Sequence, residues 1–302
     1  MKKVVILFIV ILGWMNVSAQ TLQPYTIGTE SGTDMPDVIE TTISDLNQYG
    51  LEIVGQYMPA NDKNRWVTVV THPELLNAAE SIGGLTGFAA TLRVGITLEG
   101  DKTIVSYTTP AYWGNAYYRD DFDKVADNYE KVEKAFENAF NHRGHFVGTG
   151  FGSEKGLEVE KLRKYHYMFG MPYFEDVEEL EDFESHKDAL KMIDDRLKEG
   201  VPNVKLVYRI EIPRRSLVLY GFALSGENGE AKFLPTIDLS SPKHTAFLPY
   251  EMLVYKNEVV MLHGRYRIAL AFPDLTMGTF TKIMSTPGDI EDMLEQLVED
   301  ED

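Results

Sequence analysis

The sequence predicts an α+β fold of two similar domains, each an antiparallel sheet packed with helices and related by an internal duplication. Three observations lead there. Apolar residues alternate through Thr91–Leu98 and Val204–Ile212, as in half-buried strands. They recur at helical spacing through 35–49 and 121–141. Finally, TGFAATLRVGITLEGDKTIVSYTTP and TAFLPYEMLVYKNEVVMLHGRYRIALAFP both run from Thr-x-Phe through hairpin strands to a closing proline.

Along the first half, Ile39, Ile43 and Leu46 line a helix capped by Thr33 or Asp34 and stopped at Gly50. Leu51–Met58 and Arg65–Thr71 read as strands, and Pro73–Ile82 as a short helix. Thr91–Leu98 sets Leu92, Val94, Ile96 and Leu98 on a core face and Thr91, Arg93, Gly95 and Thr97 opposite. Glu99-Gly100-Asp101-Lys102 turns it into a partner strand, Thr103–Thr108. A helix over Asp121–Asn141 carries Val125, Tyr129, Val132, Phe136 and Phe140 as its apolar stripe.

In the second half, Ser185 caps a helix that Gly200 stops. Val204–Ile212, Leu217–Leu224, Lys232–Leu239, Glu251–Tyr255, Val259–His263 and Arg265–Phe272 read as strands. Thr286-Pro287 opens a terminal helix with Ile290, Met293, Leu294 and Leu297 inward. Glu178–Asp182 reads as solvated helix. The expected division is 1–19 leader, 20–145 first domain, 146–184 connector and 185–302 second domain.

The passage from WVTVVTHPELLNAAESIGG through LRVGITLEGDKTIVSYTTPAYW resembles the domain-of-unknown-function family DUF302. Thr71-His72-Pro73-Glu74-Leu75 sits where that family's helix begins. The resemblance covers 36–142 and, more thinly, 186–298. It implies an α+β domain of helix, strands and a final hairpin and helix, and it carries no catalytic signature.

The start, MKKVVILFIVILGWMNVSAQ, has two lysines, an apolar run of about 11 residues and Val17-Ser18-Ala19 for cleavage. The run is short against the roughly 20 residues that span a bilayer. Residues 1–19 therefore read as a secretory signal, and the expected location is periplasmic or extracellular. No cysteine follows to carry a lipid, and no later stretch is apolar enough to cross a membrane. Losing Lys2 and Lys3 with the leader takes the formal charge from −18 to −20. Such an acidic chain repels nucleic acid, and no Lys/Arg cluster offsets that. With no cysteine, stability must come from buried apolar surface, which 44% apolar composition can supply.

Residues 142–152, HRGHFVGTGFG, look most like a chemical device. A dinucleotide loop needs a strand before the glycines and a helix after them; here a helix precedes and the spacing is G-x-G-x-G. The stretch reads as a joint. His142 and His145 suit a transition metal or haem iron, but no third ligand stands at matching spacing. Two aromatic stretches, YTTPAYWGNAYY and YHYMFGMPYF, read as loops or short irregular helices that stack on a sugar or flat ligand or plug a domain interface. The ligand-binding candidates are Tyr107, Tyr112, Trp113, Tyr117, Tyr165 and His166, with Arg93 and Arg267 as strand arginines able to clamp a carboxylate or phosphate. No G-x-S-x-G and no H-E-x-x-H occurs. The leading expectation is thus a non-catalytic exported module binding a small molecule or protein partner. The alternatives are a haem or metal protein, and an envelope- or glycan-acting enzyme with two carboxylates in a cleft between the halves.

Overall fold

The structure, a computed structural model, describes residues 20–32, 34–212 and 214–299. The expected secretory signal and the end of the acidic tail lie outside them. In chain order the first half comprises β1 (Thr21–Leu22), β2 (Tyr25–Ser31), α1 (Met35–Gln48), β3 (Glu52–Tyr57), β4 (Arg65–Thr71), α2 (Pro73–Ile82), β5 (Leu92–Glu99), β6 (Lys102–Thr108), α3 (Pro110–Tyr118) and α4 (Ala126–Asn141). There follow β7 (Gly150–Phe151), β8 (Leu157–Glu158) and α5 (Val159–Arg163). The second half holds β9 (Val177–Asp182), α6 (His186–Glu199), β10 (Val204–Ile212), β11 (Leu217–Leu224), α7 (Glu230–Ile237), β12 (Tyr250–Tyr255), β13 (Glu258–Leu262), α8 (Gly264–Ala271), α9 (Met277–Phe280) and α10 (Thr286–Glu295).

All the strand pairs are antiparallel, so the α+β class holds. The first sheet runs β3-β4-β5-β6-β2-β7 and the second β10-β11-β12-β13-β9. Apart from the added edge β7, the two orders match: in each half the earliest strand closes the sheet beside the last one. The helices between strands fall at matching places too.

The alternation in β5 is real, but its expected outer face is not outside. Thr91, Arg93, Gly95 and Thr97 face the second half and are all buried. Thr97 Oγ1 donates to Thr245 Oγ1 at 2.6 Å, and Arg93 ion-pairs with Glu251 of β12. The packing is reciprocal. The 3-10 turn Thr245–Phe247 lies so close on β5 that a Cβ on Gly95 would stand 2.7 Å from Ala246 N. The 3-10 turn Gly84–Ala89 lies on β12, where a Cβ on Gly87 would stand 2.7 Å from a Leu253 methyl.

Several expected elements are corrected. Arg265–Phe272, expected as a strand, is helix α8, capped by the His263 side chain accepting from Arg265 N. Tyr266 through Ala271 are all buried, so large apolar residues on alternate positions do not distinguish a strand from a helix enclosed on every side. The expected strand Lys232–Leu239 falls, as far as Ile237, in helix α7, whose Phe233, Leu234 and Ile237 share a buried face. Glu178–Asp182, expected as solvated helix, is edge strand β9. Only Leu180 is buried there, and its acids sit on an edge where charge discourages further pairing. The second sheet therefore reaches back into the expected connector. The 142–152 stretch is no loose joint: Val147 N and Gly148 N donate to Gly28 O and Ile27 O, each at 2.9 Å, before β7 pairs with β2. Of the two alternatives for YTTPAYWGNAYY, the structure has the short helix: Tyr107 and Thr108 end β6, and α3 follows with Pro110 in its first turn, where the missing N–H breaks no helical bond.

Candidate functional site

Arg93, Glu251 and Arg267 meet at the seam between the halves, brought there by β5, β12 and α8. All three are at most 5% exposed. Arg93 Nη2 pairs with Glu251 Oε2, and Arg267 Nη2 lies 4.0 Å from the same oxygen while donating to Phe247 O at 2.7 Å. The other carboxylate oxygen accepts from the Tyr208 hydroxyl and, at 3.4 Å, from Thr91 Oγ1. The Arg267 guanidinium sits 5.0 Å from both the Trp113 and Phe247 rings. Burial opposes the charge on Arg93, but Glu251, Tyr208 and Tyr117 together outweigh it and hold the guanidinium above its usual pKa. Burial first, then Glu251, pushes the Tyr208 hydroxyl well up.

The sequence picked out Arg93 and Arg267 as carboxylate clamps, and the structure supplies a carboxylate from the chain itself. Arg267 reaches it from a helix, not a strand. Glu251 and Tyr208 were not foreseen. The one available signal was a lone acid inside the apolar run Tyr250–Tyr255.

Tyr112, Trp113, Tyr117 and Tyr165 gather around α8, whereas Tyr107 packs against α4. Tyr112 and Tyr165 donate to Leu270 O and Ala269 O, each at 2.8 Å, and Trp113 Nε1 donates to Pro24 O at 2.8 Å. Tyr117 stacks on Phe174 at 5.3 Å, and Tyr107 on Phe136 at 4.4 Å. Burial raises the hydroxyl pKa of Tyr112 and Tyr117. These rings are core, and the two aromatic stretches meet as a packed cluster.

His142 and His145 do not share a helical face, because α4 ends at Asn141 and Gly144 follows with φ +73°. His142 Nδ1 lies 3.1 Å from the Tyr49 hydroxyl. His145 lines a cavity of about 480 Å³ with Thr29, Asp37 and Asp45, where Arg143 donates twice to Asp45 at 2.8 and 2.9 Å. Among the described residues no three His, Cys, Asp or Glu side chains cluster as a metal site.

His166 lies elsewhere, on an open groove of about 950 Å³. Its imidazole stacks on Tyr173 with centroids 4.3 Å apart and planes at 10°. Tyr165 and Tyr167 form the back wall, and the Tyr167 hydroxyl donates to Leu275 O at 2.5 Å. Arg119, Lys161 and Lys164 stand on its rim against Glu158 and Glu160. Arg163, at the end of α5, donates to Asn115 Oδ1 at 2.7 Å and to both oxygens of Asp123, tying this segment to α3. Beside the groove the chain turns through Met168–Met171, leaving Phe169 fully exposed and Tyr173 43% exposed. No helix among the described residues is long and apolar enough to cross a membrane.

No protein-family profile matches the chain, and no curated protein does. Among solved structures, the crystal structure of an uncharacterized conserved protein DUF302 from Bacillus stearothermophilus is similar over 39% of this chain and 96% of that one. The identity is 14% and the TM-score 0.35. The chain is thus weakly similar to a protein of DUF302, the family its His72-Pro73 passage resembles.

Proposed function

We propose that this is an exported, non-catalytic binding protein whose ligand lies in the groove of His166 and Tyr173. The carrying observation is the stacked His166–Tyr173 pair standing at an open cleft of about 950 Å³. That volume is at the upper end for small-molecule sites. Flat, part-exposed rings suit a sugar or other flat ring, with the imidazole and phenols supplying hydrogen bonds. Arg119, Lys161 and Lys164 stand there on a chain of formal charge −18, Arg119 paired with Glu175 and Lys161 with Glu158 at 3.1 Å. Beside these two pairs Lys164 offers a charge to a ligand carboxylate, and the reading is an acidic sugar or a short oligomer of one. Export rests on the pattern of residues 1–19.

Titration calorimetry of the leader-free chain with a trimeric oligouronate tests this. The oligouronate is expected to bind more tightly than a neutral trisaccharide. Removing one stacking ring, by Tyr173→Ala or His166→Ala, is expected to weaken binding roughly 2- to 10-fold, the equivalent of about 0.5–1.5 kcal/mol. Equal affinity in the variants, or no binding of either sugar, would rule the groove out.

A further inference from the structure

A second cavity, of about 250 Å³, opens on the other side of the segment 272–276 and is built around His244. Phe151 from β7, Ile237 from the end of α7, and Phe272 line its apolar part. Ser240, Thr276 and Asp274 line its polar part. His244 is only 6% exposed and is held among rings: Phe272 at 4.5 Å, Tyr25 at 4.9 Å and Phe151 at 5.8 Å between centroids. Its backbone is fixed by a 2.9 Å hydrogen bond from its N–H to Asp238 Oδ1, and Asp238 is itself paired with Arg65.

The imidazole itself is poorly satisfied. Nδ1 has no aligned hydrogen-bond partner. The Ala271 carbonyl favours the protonated ring without forming such a bond. Nε2 reaches only Ser240 Oγ, at 3.5 Å, the limit of a hydrogen bond. A polar group this buried ordinarily has close partners. Burial lowers its pKa, so the ring is neutral at pH 7 and presents one donor and one acceptor. The oxygens of Asp274 at the rim already accept from Ser153 Oγ at 3.1 Å and Glu154 N at 2.6 Å. Leu239 stands beside the mouth, 71% exposed although it is apolar.

We propose that this cavity is a distinct binding site for a compact, neutral, phenol-like ligand whose hydroxyl meets His244 and whose ring lies against Phe151 and Phe272. A neutral imidazole in a ring-lined cavity suits a hydroxyl that both donates and accepts, and no cation among the lining residues calls for an anion. The volume holds roughly eight non-hydrogen atoms at about 30 Å³ each, the size of 4-methylphenol. A site that uses a buried polar group for recognition discriminates against the analogue lacking the hydrogen-bonding proton.

The test is amide chemical-shift titration of the leader-free chain with 4-methylphenol and, separately, with 4-methylanisole, which lacks the hydroxyl proton. Saturable shifts at Phe151, Phe272 and Leu275 are expected, with 4-methylphenol favoured at least 5-fold. His244→Phe is expected to bring that preference close to 1, and Thr276→Trp, a substitution at an exposed rim position, to abolish both titrations. Tyr173→Ala is expected to leave them unchanged, which separates this site from the groove. Non-saturating shifts, equal affinity for the two probes, or binding that survives Thr276→Trp would overturn the proposal.

Discussion

Glu251 is one carboxylate shared by two buried guanidiniums, and that ratio decides what its removal does. An ion pair in a dry interior loses much of its attraction to desolvation, but deleting one partner strands the other charge. Glu251→Ala is therefore expected to lower unfolding free energy by about 3–5 kcal/mol, read by urea denaturation. The exposed pair of Lys102 with Glu30, at 3.4 Å, is the control. Glu30→Ala is expected to change stability by at most about 1 kcal/mol. A loss no larger at Glu251 than at Glu30 would contradict the role given to the buried cluster. Arg93 and Arg267 were legible as carboxylate clamps because cations on the faces of apolar segments are conspicuous. Their partner was not, because a contact between residues 93 and 251 leaves no local trace in either strand.

At the scale of elements, helix α7 begins with a carboxylate that ties it to the other half. Glu230 is 1% exposed and accepts from the Tyr57 hydroxyl at 2.9 Å, Ala60 N at 2.7 Å and Leu224 N at 3.3 Å. Burial pushes its pKa up to about 7, against the pull of those hydrogen bonds. A carboxyl whose folded pKa exceeds its unfolded value binds its proton more tightly in the native state. Its contribution is therefore present below the unfolded pKa near 4.5 and is lost as pH rises through about 7. At about 1.4 kcal/mol per unit, the loss is at most about 3.5 kcal/mol. Glu133 is raised to about 7, first by burial and then by Glu137, and acts in the same direction, so wild type alone does not isolate Glu230. Urea unfolding at pH 5, 6, 7 and 8 should show a shallower decline for Glu230→Gln than for wild type. Parallel profiles would remove Glu230 from the account. Element type was legible where one face was clearly polar, as in α1, α4, β10 and α6. It was misread in α8 because enclosure on several sides erases the polar face that reports periodicity, in α7 because Pro235 interrupts a helix of only eight residues, and in β9 because an edge strand's charges resemble those of a solvated helix.

At the scale of the molecule, two halves of matching strand order pack reciprocally, each setting the 3-10 turn before its central strand onto the other's sheet. That is the pattern of a two-fold interface between like subunits, here within one chain. The Thr-x-Phe echo falls on these turns, Thr86–Phe88 in one half and Thr245–Phe247 in the other. The reciprocal packing also means that the seam, not the link between the halves, holds them together. A protease site inserted at Gly170, where added atoms meet open space, is expected to be cut without separating the fragments on size-exclusion chromatography. Dissociation after cutting at neutral pH would show that the buried cluster and the two turns are insufficient.

By itself the sequence determined the α+β class, the hairpins, the two-part plan and the acidic character, because each depends on local periodicity, turn residues or composition. Only the tertiary structure decided that the outer face of β5 is an interior seam, that the aromatic candidates divide between core and groove, and that His166 rather than His142 or His145 stacks flat on a ring at the open groove. Those outcomes depend on which distant segment covers each face. Burial by a partner more than a hundred residues away changes a side chain's solvent without changing its neighbours in sequence.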